Sequence, residues 1–183
     1  MKYLIAAYFA LLIVSSLDAQ KYFSKNASIR FYSDTPFEKI EGINSSASTV
    51  LDASTGQLEF AVLIKGFQFD KALLEEHFNE NYMESSKFPK STFKGMIENP
   101  SAVDWSKHGV KKVNVKGKLT IHGVTKEVTI PSEFVVGPEG IKAKSKFNVK
   151  PQDYDIKIPS VVRDKIANEI EVNIQSNYQL LNQ

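Results

Sequence analysis

The chain of 183 residues contains no cysteine. This absence excludes thiolate nucleophiles, disulfide bonds, cysteine-ligated zinc and iron–sulfur clusters. Histidine is also scarce, because His77, His108 and His122 are the only three, and their spacing fits neither a histidine-rich metal site nor an HExxH helix. Few residues therefore remain from which a nucleophilic or metal-dependent enzyme could be built, and we expect no cofactor.

An excess of charge of one sign is also lacking. The chain has 23 Lys and Arg against 21 Asp and Glu, a net charge of +2, which is far from the basic excess typical of nucleic-acid binding. We therefore expect no nucleic acid partner. Apolar residues make up 42% of the chain, enough for one sizeable core, and no repeat or low-complexity run interrupts them.

The N-terminal segment differs in composition from the rest. A short positive start at Met1-Lys2 precedes a nearly unbroken apolar stretch, Tyr3 to Leu17, which is shorter than the roughly 20 residues needed to cross a bilayer. Ala19 offers a small residue at a cleavage point. We expect residues 1–19 to be a signal peptide, residues 20–183 to form one domain, and the protein to be periplasmic or secreted; an uncleaved membrane anchor is the alternative.

Alternating apolar and polar residues predict about eight β-strands in this domain. The pattern is clearest in the second half, where four rows each place apolar residues on one face: Val113, Val115, Leu119 and Ile121; Val128, Ile130, Phe134 and Val136; Ile141, Ala143, Phe147 and Val149; and Ile170, Val172, Ile174, Tyr178 and Leu180. In the first half the alternation is weaker and includes a polar run from Glu38 to Asp52. Turn residues such as His122-Gly123 separate neighbouring rows and indicate antiparallel hairpins.

Two segments depart from this alternation. Residues 70–82 predict one amphipathic helix with Asp70 as its N-cap, because they carry Leu73, Leu74, His77, Phe78 and Tyr82 at helical spacing. The stretch from Pro159 to Asn168 is helical or irregular. Strands with one apolar and one polar face must bury the apolar face, and with only one helix available they form a sandwich or a barrel. About eight strands in hairpin order favour the closed barrel.

The apolar rows contain small residues that bear on whether such a barrel is hollow. These are Gly117, Ser132, Ala143, Ser145 and Ser176. They either leave room for one ligand or fit the taper of a packed barrel, and the periodicity does not choose between the two.

Two motifs carry a family resemblance. Phe88-Pro89-Lys90-Ser91-Thr92-Phe93, preceded by His77-Phe78 and Tyr82-Met83-Glu84-Ser85, is followed later by the run Gly117 to Lys126. In this order the motifs resemble the YceI-like, polyisoprenoid-binding family of exported bacterial proteins, over roughly residues 22–180. The resemblance implies an all-β fold, an eight-stranded antiparallel lipocalin-like barrel with one amphipathic helix.

The resemblance also implies a non-catalytic carrier whose partner is an isoprenoid lipid, either a polyprenyl phosphate or an isoprenoid quinone. Membrane contact would be at most transient, and a homodimer stays open beside a monomer. The chain departs from the family at Gln152-Asp153-Tyr154-Asp155, where many members have an arginine, so no head-group contact is carried over. On this basis we expect sixteen residues to bind the ligand: Phe60, Phe67, Phe69, Leu74, His77, Phe78, Tyr82, Met83, Phe88, Phe93, Leu119, Ile121, Phe134, Phe147, Tyr154 and Ile156.

Other functions stay open at this point. The dense aromatic residues could plug the barrel instead of lining a tunnel, which would leave a packed protein that acts through protein contacts in a stress response. A secreted lipid-modifying enzyme could use His77 with a carboxylate, although no GxSxG or phosphate-binding glycine loop is present. Interior volume separates these functions, because a carrier needs a continuous apolar space and an enzyme needs polar groups that converge at its mouth.

Overall fold

The structure is a computed structural model that describes residues 20–181, so the predicted signal peptide lies outside the described residues. Eight strands account for most of this range: β1 Lys21–Asp34, β2 Lys39–Asp52, β3 Gln57–Leu63, β4 Lys90–Ile97, β5 Gly109–Ile121, β6 Val124–Gly137, β7 Gly140–Val149 and β8 Ile170–Leu180. One short α-helix, α1, spans Ala72–His77. Within the described range, no helix has both the length and the apolar character that a membrane span requires.

The strands form a closed barrel in chain order, and β8 pairs with β1 to complete it. Every neighbouring pair is antiparallel, which confirms the predicted fold class. Because the strands alternate in direction, the connections fall at two ends. We call the end that carries residues 35–38, 64–89, 122–123 and 150–169 the cap end, and the opposite one the closed end.

Strand β2 coincides with the polar run that showed little alternation. Its inner residues are small or polar except near its two ends, where Ile40 and Leu51 lie, and Asn44 and Ala47 are both fully buried. The Asn44 Nδ2 donates to the Leu63 carbonyl at 3.0 Å, while its Oδ1 accepts from the Ser46 backbone N–H at 2.9 Å. A buried amide that is bonded on both sides is tolerated inside a strand, although its polarity hides that strand from hydropathy patterns.

The barrel wall is incomplete between β6 and β7. These strands pair only from Ser132–Ser145 to Gly137–Gly140, so the first half of β6 lacks β7 as a neighbour. A 3₁₀ turn at Pro151–Tyr154 lies at this gap. Tyr154 is 4% exposed and packs in the core cluster that includes Val124 and Val128 of β6. The segment after β7 therefore replaces the missing strand contacts.

The helical segment begins later than predicted. Helix α1 starts at Ala72, and the residue that caps it is Lys71, with no side-chain hydrogen bond, so the predicted Asp70 cap is wrong. After His77 the backbone continues as one π-helical stretch, Phe78–Tyr82. The predicted helix is thus present as two short pieces. The irregular stretch near the C-terminus contains a 3₁₀ segment, Ser160–Lys165.

Side chains fill the closed end of the barrel. Leu51, Ile97, Phe134 and Ile141 are each exposed by 2% or less and lie in one cluster. Trp105, from the β4–β5 connection, sets its ring edge-on to Phe134 with centroids 5.4 Å apart. The barrel is therefore not hollow from end to end, and any internal space lies toward the cap end.

Candidate functional site: an apolar cavity in the barrel

A cavity of about 250 Å³ lies inside the barrel between the packed closed end and the cap. All eight strands contribute to its wall, and residues of the cap segments complete it. Thirteen of the sixteen predicted residues line it: Phe60, Phe67, Phe69, Leu74, Phe78, Tyr82, Met83, Phe93, Leu119, Ile121, Phe134, Phe147 and Ile156. An apolar cavity of about 150 Å³ accommodates benzene, so this one holds roughly ten carbon atoms.

Four phenylalanines join the cap to the barrel wall. Phe31 of β1 lies 5.4 Å from both Phe67 and Phe78, measured between ring centroids, and Phe69 lies 5.0 Å from Phe78. Phe67 and Phe69 follow β3, and Phe78 begins the π-helical stretch. Such ring contacts contribute about 0.5–1.5 kcal/mol each beyond the area they bury. The aromatic residues thus act in both predicted ways, because they line the space and also close it.

The cavity lining contains no Asp, Glu, Lys, Arg or His. Its polar groups are hydroxyls, several of them deep in the barrel. Ser132 and Ser145 Oγ atoms lie 2.8 Å apart, and the Tyr178 hydroxyl lies 2.8 Å from Thr49 Oγ1. Burial raises the pKa of Tyr178 to about 12, with the hydrogen bonds to Thr49 and Ser176 acting in the opposite direction. The site therefore presents neutral groups to whatever it holds.

Small residues of the inner rows account for part of the space. Ser132, Ala143, Ser145 and Ser176 all line the cavity. Gly117 does not, because a Cβ placed there would lie 2.8 Å from the ring of Phe93, and one at Gly95 would lie 2.5 Å from it. The Phe93 ring thus occupies the space over these two paired glycines. Of the two alternatives for the small residues, the packed barrel therefore applies at Gly117.

Three predicted residues lie outside the lining. His77 lies at the α–π junction beside Phe78, which lines the cavity in its place. The Phe88 ring packs against His122, with centroids 4.5 Å apart, and approaches Gly123, where a Cβ would lie 2.6 Å from it. Tyr154 fills the gap beside β6. All three positions therefore lie outside the cavity wall, and Phe88 and Tyr154 pack at the cap end beside it.

His122 connects two of the segments that form the cap. It lies in the β5–β6 turn at a φ of 50°, and its Nδ1 donates to the Tyr154 carbonyl at 3.1 Å. Its Nε2 lies 2.9 Å from Glu84 Oε2. The two ring nitrogens thus link the β5–β6 turn to the Pro151–Tyr154 turn and to the segment before β4. The geometry gives this histidine a structural role at the cap end.

The sequence interpretation missed part of the lining. Ile158 and Ile166 face the cavity from the irregular segment before β8, where no periodicity marks them. Phe31, Ile40 and Val172 also line it. Val172 belongs to an apolar row that was identified from the alternation, and extending the site to the whole of that row would have included it.

Metal binding has no support in the part of the chain that the structure describes. Across residues 20–181, no three His, Asp or Glu side chains come together in a group that could hold an ion.

Comparison with protein families matches residues 22–178 to the YceI-like domain. The chain belongs to the YceI-like domain family. Among solved structures, this YceI-like domain is similar to a polyisoprenoid binding domain from Saccharophagus degradans implicated in plant cell wall breakdown. That match has a TM-score of 0.76 at 11% identity and covers 89% of this chain and 99% of that one.

Two further structures share the fold of this YceI-like domain. BcnA from Burkholderia cenocepacia aligns with a TM-score of 0.67 at 17% identity, over 81% of this chain and 94% of that one. The Campylobacter jejuni YceI protein aligns with a TM-score of 0.58 at 19% identity, over 78% and 85%. No curated protein matches the chain. At these identities the structures establish the fold that the YceI-like domain shares with them.

Proposed function

We propose that this YceI-like protein is an exported, non-catalytic carrier that holds the tail of a long isoprenoid lipid in its barrel. The single observation that carries this proposal is the cavity of about 250 Å³, whose lining contains no charged side chain. Family membership and the similarity to a domain described as polyisoprenoid binding support the same ligand class. The N-terminal segment, residues 1–19, supports export to the periplasm or the outside of the cell.

The cavity volume bears on how much of the tail is enclosed. Burying one methylene contributes about 0.8 kcal/mol, so roughly ten carbons, or two isoprene units, contribute about 8 kcal/mol. Association costs roughly 4–15 kcal/mol in lost freedom. The enclosed part is therefore only about sufficient for binding. A longer tail must gain further contacts at the mouth, where Phe69 and Ile166 are partly exposed, or widen the cavity as the cap segments move apart.

The absence of charged residues from the lining constrains where a head group lies. A phosphate inside the barrel would lose its hydration without gaining a cation, which is strongly unfavourable. A polyprenyl phosphate would therefore keep its phosphate outside the mouth. A quinone ring is neutral and can lie at the mouth or inside, where the Ser33 hydroxyl, whose oxygen accepts from the Ala167 N–H, can still donate. Both ligand classes fit, in different poses.

Catalysis finds little support in this lining. An enzyme needs acid–base or nucleophilic groups near the reacting atoms. His77, the residue considered for that role, lies outside the cavity wall. The tyrosines of the lining include Tyr178, whose raised pKa makes its hydroxyl a weak acid. We therefore propose a binding function without a chemical step.

Trp105 provides a direct test. It is the only tryptophan in the chain, and its ring contacts Phe134, which lines the cavity. Titration with an isoprenoid quinone should quench its fluorescence in a saturable manner. The same quinone ring without a tail should quench only weakly, because the tail supplies the buried apolar area. Equal quenching by the tail-less ring, or no saturation by either compound, would contradict the proposal.

A further inference from the structure

The segments that connect the strands at the cap end carry three strongly exposed large apolar side chains, in addition to Leu63 at the end of β3, which is 63% exposed. Phe37 is 75% exposed, Leu73 is 61% exposed and Val161 is 85% exposed. They come from three separate segments: the β1–β2 turn, helix α1 and the 3₁₀ segment Ser160–Lys165. Nothing in the packing of the barrel accounts for their position, because none of them belongs to either core cluster.

These side chains are close in sequence to the cavity lining. Ile40, Leu74 and Ile158 line the cavity and lie within three residues of Phe37, Leu73 and Val161, respectively.

Contacts within the cap bring the three segments together. Lys71 Nζ lies 4.0 Å from Glu38 Oε1, which joins the start of α1 to the β1–β2 turn. The Ala167 backbone N–H donates to Ser33 Oγ at 2.8 Å, which joins the segment after Val161 to the end of β1. The three exposed residues therefore lie on neighbouring segments of the cap end, each close in sequence to a residue that lines the cavity.

We propose that Phe37, Leu73 and Val161 insert into the surface of a lipid bilayer, with the cap end of the barrel facing the membrane. Together they expose roughly 400 Å² of apolar surface, about half of what each partner contributes to a stable protein interface. This area, on three different segments, is also less than a second copy of the chain would need for a stable interface. A bilayer has no such requirement, because it accepts separate apolar side chains one by one.

The charged residues of the cap segments are compatible with a membrane surface, but they are too evenly balanced to provide most of the binding. Residues 35–39, 70–74 and 157–166 carry five basic and three acidic side chains, while Glu75, Glu76 and Glu80 follow on the helical stretch. Apolar insertion therefore provides the main attraction, and vesicles of a zwitterionic lipid should suffice. Added salt should change binding little, because it screens charges without weakening apolar contacts. The surface acts on the membrane whether or not the cavity holds a ligand.

The experiment measures flotation of the purified protein with phosphatidylcholine vesicles at low and high salt. The wild type should float, and the triple variant Phe37→Ser, Leu73→Ser, Val161→Ser should partition roughly tenfold less or weaker still. Val110→Ser is the matched control, since Val110 is 57% exposed at the start of β5, at the closed end, and its loss should leave flotation unchanged. All proteins are isolated from the same compartment with the same N-terminus, so residues 1–19 cannot cause a difference in flotation between them.

Circular dichroism establishes that each variant is folded, and Val161→Ser alone provides a second test, with a smaller loss of flotation, should the triple variant not fold. Absence of wild-type flotation, or equal flotation of the folded triple variant, would overturn the proposal. A wild-type dimer that the triple variant loses, together with no vesicle binding, would overturn it as well and assign the surface to self-association.

Discussion

Enlarging Ala143 tests whether the space inside the barrel is open. Ala143 is 8% exposed and lines the cavity between Phe134 and Ser176, its partners on the neighbouring strands. Ala143→Leu adds three carbons, roughly a third of the ten that the cavity holds. In a packed core such an enlargement costs about 1–3 kcal/mol. In open space it instead buries up to about 2.4 kcal/mol of apolar area.

We therefore expect Ala143→Leu to keep or raise the melting temperature, by up to about 10 °C for a domain of this size. Binding of an isoprenoid quinone should weaken by up to roughly fifty-fold, because about 2.4 kcal/mol of tail burial is lost. Thermal unfolding by circular dichroism and quenching of Trp105 measure the two effects on the same samples.

Ala47→Leu is the matched control. Ala47 is fully buried against Ala27 and does not line the cavity, so its enlargement should lower the stability by about 1–3 kcal/mol. A comparable loss of stability in Ala143→Leu, with unchanged quinone binding, would refute the reasoning that the space near Ala143 is open and serves a ligand.

Three further predictions concern the cap, the buried tyrosine and the ligand. His122→Ala removes two hydrogen bonds and the contact with Phe88, and should reduce the free energy of unfolding by about 2–3 kcal/mol in urea denaturation; a change below about 0.5 kcal/mol would contradict the linking role. Burial raises the pKa of Tyr178 to about 12, against 10.0 for the free side chain, so its contribution to stability is complete below pH 10 and is lost as the pH rises toward 12. Over this range the free energy of unfolding of the wild type should fall by about 2–3 kcal/mol more than that of Tyr178→Phe. Parallel pH profiles of the two proteins would exclude the effect. In a series of quinones of increasing tail length, affinity should rise steeply up to about two isoprene units and more slowly beyond, whereas affinity independent of tail length in calorimetry would rule out tail burial as the source of binding.

The barrel could be predicted from the sequence because four of its strands show clear alternation. Strands β5 to β8 have inner rows dominated by Val, Ile, Leu and Phe, and these rows face the interior as expected, except at Leu180, which is 49% exposed. Strand β2 is different, since the burial of Asn44 depends on a bond to the Leu63 carbonyl of β3. Such a bond forms only once the strands are in register, so residue periodicity does not reveal it.

The boundaries of the site depend on contacts that are distant in sequence. Helical spacing placed His77 among the aromatic residues, but it does not show that the backbone changes to π geometry at Phe78. From the sequence, Gly117 could have left room for a ligand. Its pairing with Gly95 instead places the ring of Phe93 over both glycines. Ile158 and Ile166 lie in an irregular segment whose path follows from its packing on the barrel. The apolar wall was therefore predictable residue by residue, and its edges were not.

The most direct measurement of the central claim is mass spectrometry of lipid extracted, under denaturing conditions, from protein isolated from its native compartment. An isoprenoid lipid present in near-stoichiometric amount, and depleted in Ala143→Leu prepared in parallel, is the predicted result. Protein that carries no lipid, or only straight-chain lipids that Ala143→Leu retains equally, would contradict the claim that the cavity holds an isoprenoid tail.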